Sequence, residues 1–481
     1  MRIQFINALL GGDYSALDIS ITNLATYLNQ KTPHRAGILD LTFHTRKWKN
    51  YLYTEIKAFK PNIIGISCNT MYMQYVKRII REIKARHKLP IILGGYHASI
   101  KPKETFNLPE CDAICIGDGE FTLTEYLNRY EKGKSPKGIK GIWSKYKGKQ
   151  IKNEKGYFIQ DIDNLPIPDW SLWKNLNKYF YYLRMLYFIG TRGCPYQCTY
   201  CDAHGISSAV NGTYFRKRDP VQYAREIAYQ YHKYKKRGLK LAQLFDQVFT
   251  IDERWLSKFC NEYRKQGIAD TFKFSAFSRL DHLNERKFKI LKQGGCALLR
   301  VGVEAGDPFI RNMIYKKNIS NEKIKSIFKL GKKYGIKFTA FYILGGPGET
   351  RRTINKTIRL AQNIDAERSA FFIYKPFTEL GMCQIKQFGG KIDKERWKKA
   401  DNITYGAVVK LKDLSPSQIE ALQRKAYFLT FGKRLLRMIR EQKLKYFYQF
   451  FLYITRGIKD GLDIRYLLPY MHIYAYENVK K

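Results

Sequence analysis

Twice along this chain, short apolar runs alternate with amphipathic helical stretches, and that repeated alternation limits the possible folds more than any other feature. Within residues 1–140 the runs are RIQFINAL, GILDL at 37–41, NIIGIS at 62–67, PIILGG at 90–95 and AICIGD at 113–118. Strands separated by helices read as a parallel sheet covered on both faces, a Rossmann-like doubly wound α/β fold. Residues 141–182 read as a linker, because 132–156 is rich in Lys and Gly and LPIPDWSLW at 165–173 is extended and aromatic. Within 183–400 the alternation restarts at MLYFIG, LAQLFD, FKFSAF, ALLRVGVE, KFTAFYIL and SAFFIYK. Six strand–helix units predict a partial (β/α)6 TIM-like barrel, in which an active site gathers at the C-terminal strand ends. Residues 401–481 read as a helical extension, opened by the cap and first-turn proline of Ser415-Pro416.

The loop leaving the first barrel strand reads Cys194-Pro-Tyr-Gln-Cys198-Thr-Tyr-Cys201. Three thiolates at this spacing can hold one side of a cubane iron–sulfur cluster, whereas an electron-transfer cubane takes four. The fourth iron is then open to a small molecule. A zinc site with His204 as fourth ligand is the alternative, since structural zinc takes four ligands. A disulfide framework is disfavoured by the odd count of nine cysteines.

The triplet, with Tyr200 just before its last cysteine, resembles the signature of radical S-adenosylmethionine (radical SAM) enzymes. The runs PNIIGISCNTMYMQYV, PIILGGYHAS and GDGEFTLTEYL resemble the cobalamin-binding domain that precedes many such barrels. The resemblance implies a [4Fe–4S] cluster on Cys194, Cys198 and Cys201, and S-adenosylmethionine chelated at its open iron. It implies cobalamin in the first domain, held by loops carrying Ser67, Gly94, Gly95, His97, Gly117, Gly119 and Glu120. His97 is expected to be a loop residue near the cofactor's nucleotide tail. No Asp-x-His-x-x-Gly motif is present to give cobalt a histidine.

In the barrel, the resemblance places Tyr200 against adenine, Glu304 on the ribose hydroxyls, Arg279 on the methionyl carboxylate, and Gly345 and Gly346 beside adenine. Each has a plainer reading: packing over the cluster for Tyr200, an ion pair with Arg279 or Arg300 for Glu304, a surface pair for Arg279, and a helix-starting turn for the glycines. Asp246, ending LAQLFD, lines the pocket or moves a proton. The implied function is carbon methylation by a cobalamin-dependent radical SAM enzyme, with radical ring closure or rearrangement as runner-up. Methylthiolation of tRNA, using Cys68, Cys111 and Cys115, ranks lower, and a non-catalytic corrinoid or cluster sensor binding nucleic acid ranks below that.

The formal net charge of +44 admits nucleic acid or an anionic membrane surface as partner, but the lysines are spread along the whole chain. No run approaches the ~18 apolar residues that span a bilayer. A cytoplasmic protein is expected, with peripheral membrane contact through its aromatic, basic tail as an option. The expected partners are a small-molecule or lipid-like substrate and an electron donor such as flavodoxin or ferredoxin.

Overall fold

The computed structural model describes residues 1–10, 17–364, 366–402, 404–440 and 445–462. The last part of the tail, residues 463–481, lies outside the described residues. The chain forms two compact units: Met1–Leu183 with Gly205–Arg216 in one, and Arg184–His204 with Lys217–Gln449 in the other.

The first unit is built on strands β1 (Arg2–Asn7), β2 (Arg35–Asp40), β3 (Ile63–Ser67), β4 (Ile91–Gly94), β5 (Ala113–Cys115), β6 (Ile142–Tyr146) and β7 (Lys149–Lys152), in the order β2-β1-β3-β4-β5-β6-β7. The pairs among β1–β5 are parallel. Ile3, Ile6, Ile63, Ile64, Ile91 and Leu93 are fully buried, as strands covered on both faces require. The strand order reverses between β1 and β3, so the ligand crevice of such a sheet lies at their carboxyl ends.

One sequence expectation changes here. Part of the Lys- and Gly-rich stretch assigned to the linker is an antiparallel hairpin, β6–β7, that extends the sheet beyond β5. Lys147 (φ 48°) and Gly148 (φ 75°) form its turn in the left-handed region that tight hairpins use. From Phe450 onward the late helix Lys445–Lys459 and the turn after it also belong to this unit, where buried Tyr453 packs edge-to-face on Tyr182 and Asp460 accepts from the Tyr182 hydroxyl at 2.5 Å.

The second unit carries β8 (Met185–Phe188), β9 (Leu241–Leu244), β10 (Lys273–Ser278), β11 (Cys296–Glu304), β12 (Lys337–Leu344) and β13 (Arg368–Ile373). They lie side by side in chain order, all parallel, as a six-stranded partial barrel. Its helices are set by local signals: Asp219 caps Pro220–Tyr234, and Asp252 caps Glu253–Lys265. Behind the sheet an aromatic cluster of Phe249, Trp255, Phe259 and Phe274 fills the layer under the helices.

Candidate active site

The cysteine loop leaves β8 through Gly190 and Gly193, and Gly193 sits at φ 88°, a region open to glycine. A Cβ at Gly190 would overlap the Tyr223 ring. Asp246, after β9, is completely buried and accepts the Gly190 amide at 3.0 Å and the Tyr223 hydroxyl at 3.0 Å. Burial pushes its carboxyl up to about 6, against those hydrogen bonds. Asp246 therefore ties down the base of the loop.

Further along, Thr199 donates to the Ile314 carbonyl at 2.6 Å, and its own carbonyl accepts from Thr378 at 2.8 Å. The loop closes on itself through the Cys201 amide and the Cys198 carbonyl, 3.1 Å apart. Cys198 is buried, and Cys194 and Cys201 are partly exposed. Among the described residues, no three His, Cys, Asp or Glu side chains converge on a single-ion site. A cubane binds each thiolate to a different iron, so its ligands need not converge on one ion. Three sulfur donors on one anchored loop fit a cluster of that kind.

Arg279 follows β10. Its Nε and one Nη2 hydrogen go to Asp281 (3.0 and 2.8 Å), and Nη2 also donates to the Lys317 carbonyl at 3.1 Å. Nη1 donates to Cys198 Sγ at 3.3 Å, and the guanidinium lies 3.9 Å over the Tyr196 ring. The two-donor Nε/Nη2 edge, which would suit a carboxylate, is thus occupied by Asp281. Tyr196, inside the cysteine motif, bonds His282, so Arg279–His282 grips the loop at two points.

Glu304 ends β11 beyond a bulge and holds φ 65°, a left-handed conformation that side chains bearing a Cβ adopt only under constraint. Its Oε1 accepts from the Tyr200 hydroxyl at 2.7 Å and from Lys317 Nζ at 3.1 Å. The ion-pair partner is therefore Lys317, not Arg279 or Arg300. Burial, then the Glu304 charge, drives the Tyr200 hydroxyl well above its ordinary range. Lys317 is buried between two residues of positive φ, Lys316 (56°) and Asn318 (53°). Sequence reasoning passed it over, because nothing in a run of lysines marks the buried one.

Gly345 (φ 83°) and Gly346 donate their amides to Glu349 Oε2 at 2.6 and 3.0 Å. Burial pushes Glu349 up to about 8. A Cβ at Gly346 would overlap the Tyr315 hydroxyl, and Tyr315 meets Tyr200 edge-to-face at 5.3 Å. Tyr200, Tyr315 and Gly346 thus form one wall.

In the first unit, Gly95 (φ 86°) presses so closely on Ser67 and Cys68 that a Cβ would lie 2.8 Å from Ser67 Oγ. Gly117 (φ 89°) packs against Val210, and Gly119 against Leu24. Of these four loop glycines, Gly94 is the one where a Cβ would make ordinary contacts, 3.7 Å from the Cys115 carbonyl. Asp118, between the last two glycines, accepts the Ile159 amide at 3.0 Å and pairs with Arg216. Glu120 is buried at the start of helix Glu120–Glu131. His97 differs from expectation: it lies in helix Gly95–Ile100, 2% exposed, with its ring bonded to Thr70 at 3.0 Å. Burial lowers its pKa to about 4, against the charge of the nearby Glu104.

Residues 5–127 match the model of the B12 binding domain, and residues 188–361 match that of the Radical SAM superfamily. An uncharacterized methyltransferase of Pyrococcus horikoshii is 29% identical over 377 residues, covering 77% of this chain and 79% of the relative. The anaerobic magnesium-protoporphyrin IX monomethyl ester cyclase of Cereibacter sphaeroides is 25% identical over 68% of this chain, which spans about half (53%) of the cyclase. Among solved structures, the radical S-adenosylmethionine methyltransferase TsrM of Kitasatospora setae, with cobalamin and a [4Fe-4S] cluster bound, superposes with a TM-score of 0.67 at 16% identity, over 90% of this chain and 88% of that one.

Proposed function

Because the chain belongs to the radical SAM superfamily and carries a B12-binding domain ahead of its radical SAM domain, we propose that it is a cobalamin-dependent enzyme that methylates an unactivated carbon of a small molecule. The observation that carries this reading is the cysteine loop at the mouth of a partial barrel, anchored at Gly190, Thr199 and Cys198 and faced by Glu304. When bound, the cluster and S-adenosylmethionine supply a 5′-deoxyadenosyl radical, and cobalamin carries the methyl group. Cys194, Cys198 and Cys201 hold the iron. Glu304, whose Oε1 is already committed to Tyr200 and Lys317, offers Oε2 to the ribose hydroxyls. Arg279 keeps one Nη1 hydrogen without a partner among the described residues, an end-on contact for the methionyl carboxylate. Tyr315 stacks on Tyr374 at 6.4 Å and with Tyr200 walls the site against water.

Ring closure is the second reading, favoured by the cyclase relative. It yields 5′-deoxyadenosine without S-adenosylhomocysteine, whereas methylation yields both. Methylthiolation draws no support from the first-unit thiols. Cys68, Cys111 and Cys115 are buried in the sheet layer, and burial pushes Cys111 and Cys115 up to about 12. No helix among the described residues is long and apolar enough to cross a membrane. A low-potential donor of the flavodoxin or ferredoxin class completes the scheme.

The test is anaerobic purification, reconstitution with iron and sulfide, and reduction in the presence of S-adenosylmethionine. The expected products are 5′-deoxyadenosine and methionine, with methyl transfer lost when cobalamin is omitted. A colourless protein that binds zinc and leaves S-adenosylmethionine intact overturns the proposal.

A further inference from the structure

We infer that Arg279 sets the reduction potential of the cluster through its hydrogen bond to Cys198, with Asp281, the Lys317 carbonyl and the Tyr196 ring acting as its holders. The inference rests on the cluster reading above and goes beyond it, because it gives Arg279 a role in the enzyme before S-adenosylmethionine arrives.

The geometry separates this role from simple ligand binding. A guanidinium waiting for a carboxylate would present its two-donor edge to the cofactor. Here that edge is closed by Asp281, and the side chain is aimed end-on at a cluster ligand, Nη1 to Sγ 3.3 Å. The guanidinium is held at two further points: Nη2 to the Lys317 carbonyl at 3.1 Å, and its face on Tyr196 at 3.9 Å. Lys317 is in turn held by Glu304 at 3.1 Å. Both Arg279 and Cys198 are buried, 7% and 9% exposed, so solvent does little to screen the contact.

Hydrogen bonds to the sulfurs, local net charge and solvent exposure set iron–sulfur potentials. Reduction adds one electron, taken from a low-potential one-electron donor that is itself oxidised, and no bond is made or broken. The added negative charge spreads onto the thiolates. A fixed cationic N–H pointing at one of them stabilises the reduced form more than the oxidised one, and so raises the potential. Asp281 offsets part of the charge but not the directed N–H.

The experiment is an EPR-monitored redox titration of the reconstituted full chain without S-adenosylmethionine, alongside iron content, for wild type, Arg279→Met, Arg279→Gln and Arg279→Lys. Arg279→Met is expected to shift the reduction equilibrium at least tenfold toward the oxidised form, about 59 mV for one electron. Arg279→Lys, which keeps charge without the fixed fork, should recover part of that shift. An unchanged potential in any iron-replete Met or Gln variant overturns the inference. Weaker binding of S-adenosylmethionine at that unchanged potential would instead make Arg279 a cofactor ligand only. If no variant retains iron, wild type carrying 15N-arginine should show nitrogen coupling to the reduced cluster in pulsed EPR, and its absence overturns the inference equally. A wild type that binds no cluster refutes the functional proposal itself.

Discussion

Tyr200 donates its hydroxyl to Glu304 at 2.7 Å, and the glutamate that receives it stands at φ 65°. A residue of the cysteine motif and the terminal residue of β11 are thereby locked together. A Cβ at Gly302 would overlap that carboxylate, so the space beside it is also fixed. Gly302→Ala is expected to leave iron content unchanged while displacing Glu304. Loss of hydrogen bonds to a charged group costs about 1.5–3 kcal/mol, so S-adenosylmethionine should bind on the order of 10–100-fold more weakly by equilibrium dialysis. Unchanged affinity would remove Glu304 from the cofactor site.

Lys317 balances Glu304 in a buried pair, with side chains 9% and 7% exposed. Lys317→Met leaves the carboxylate without its cation, a change that costs about 3–5 kcal/mol when a pair is buried. The double variant Lys317→Met/Glu304→Gln should recover much of that loss in chemical denaturation of the apo-protein. Additive effects would show that the two side chains do not interact.

Asp246 answers two buried donors, the Gly190 amide and the Tyr223 hydroxyl. Asp246→Ala abandons both, at about 1–3 kcal/mol each. The melting temperature should fall, and reconstituted iron should fall with it because the cysteine loop starts at Gly190. Asp246→Asn keeps an acceptor for the amide and should retain most of the iron. Full loading of the alanine variant would dissociate this strand end from cluster assembly.

Glu349 gives a pH signature. Burial raises its carboxyl from 4.5 to about 8, so the folded state holds a proton that the unfolded chain releases. Its stabilising contribution is full below about 4.5, is lost progressively as pH rises to about 8, and is absent above. Urea denaturation of wild type and Glu349→Gln across pH 5–9 should show the variant gaining on wild type as pH rises. Parallel pH profiles would mean the carboxyl is ionised throughout.

Each cysteine of the triplet should be required for the cluster. Cys198→Ala is expected to drop reconstituted iron from about four per chain to near zero, with loss of 5′-deoxyadenosine formation. Normal iron in that variant would place the cluster elsewhere.

The strands of both units were legible because parallel strands buried on both faces must be nearly continuous in apolar residues, as Ile63–Ile66 and Phe338–Leu344 are. The cysteine loop was legible because its spacing is local. The partners of that loop were not. Asp281 lies two residues from Arg279 in a charged turn, and Lys317 adjoins Lys316. Which of two neighbouring lysines turns inward depends on backbone conformation, which residue type does not encode. The glycines at the sheet edge were read as ligand-facing, yet Gly95, Gly117 and Gly119 also satisfy close internal packing. The β6–β7 hairpin was hidden by its own composition, because a lysine-rich ribbon looks like a linker until it pairs.

That ribbon has a further consequence. A parallel sheet ending at β5 would offer a bare row of amides and carbonyls to any passing strand. Instead the row is finished by β7, whose Lys149, Gln150 and Lys152 are exposed. Cationic side chains there repel a second copy of the same ribbon and keep the rim hydrated. The sheet thus ends at this side on a short strand with a charged rim, in place of the apolar parallel edge that β5 would have left.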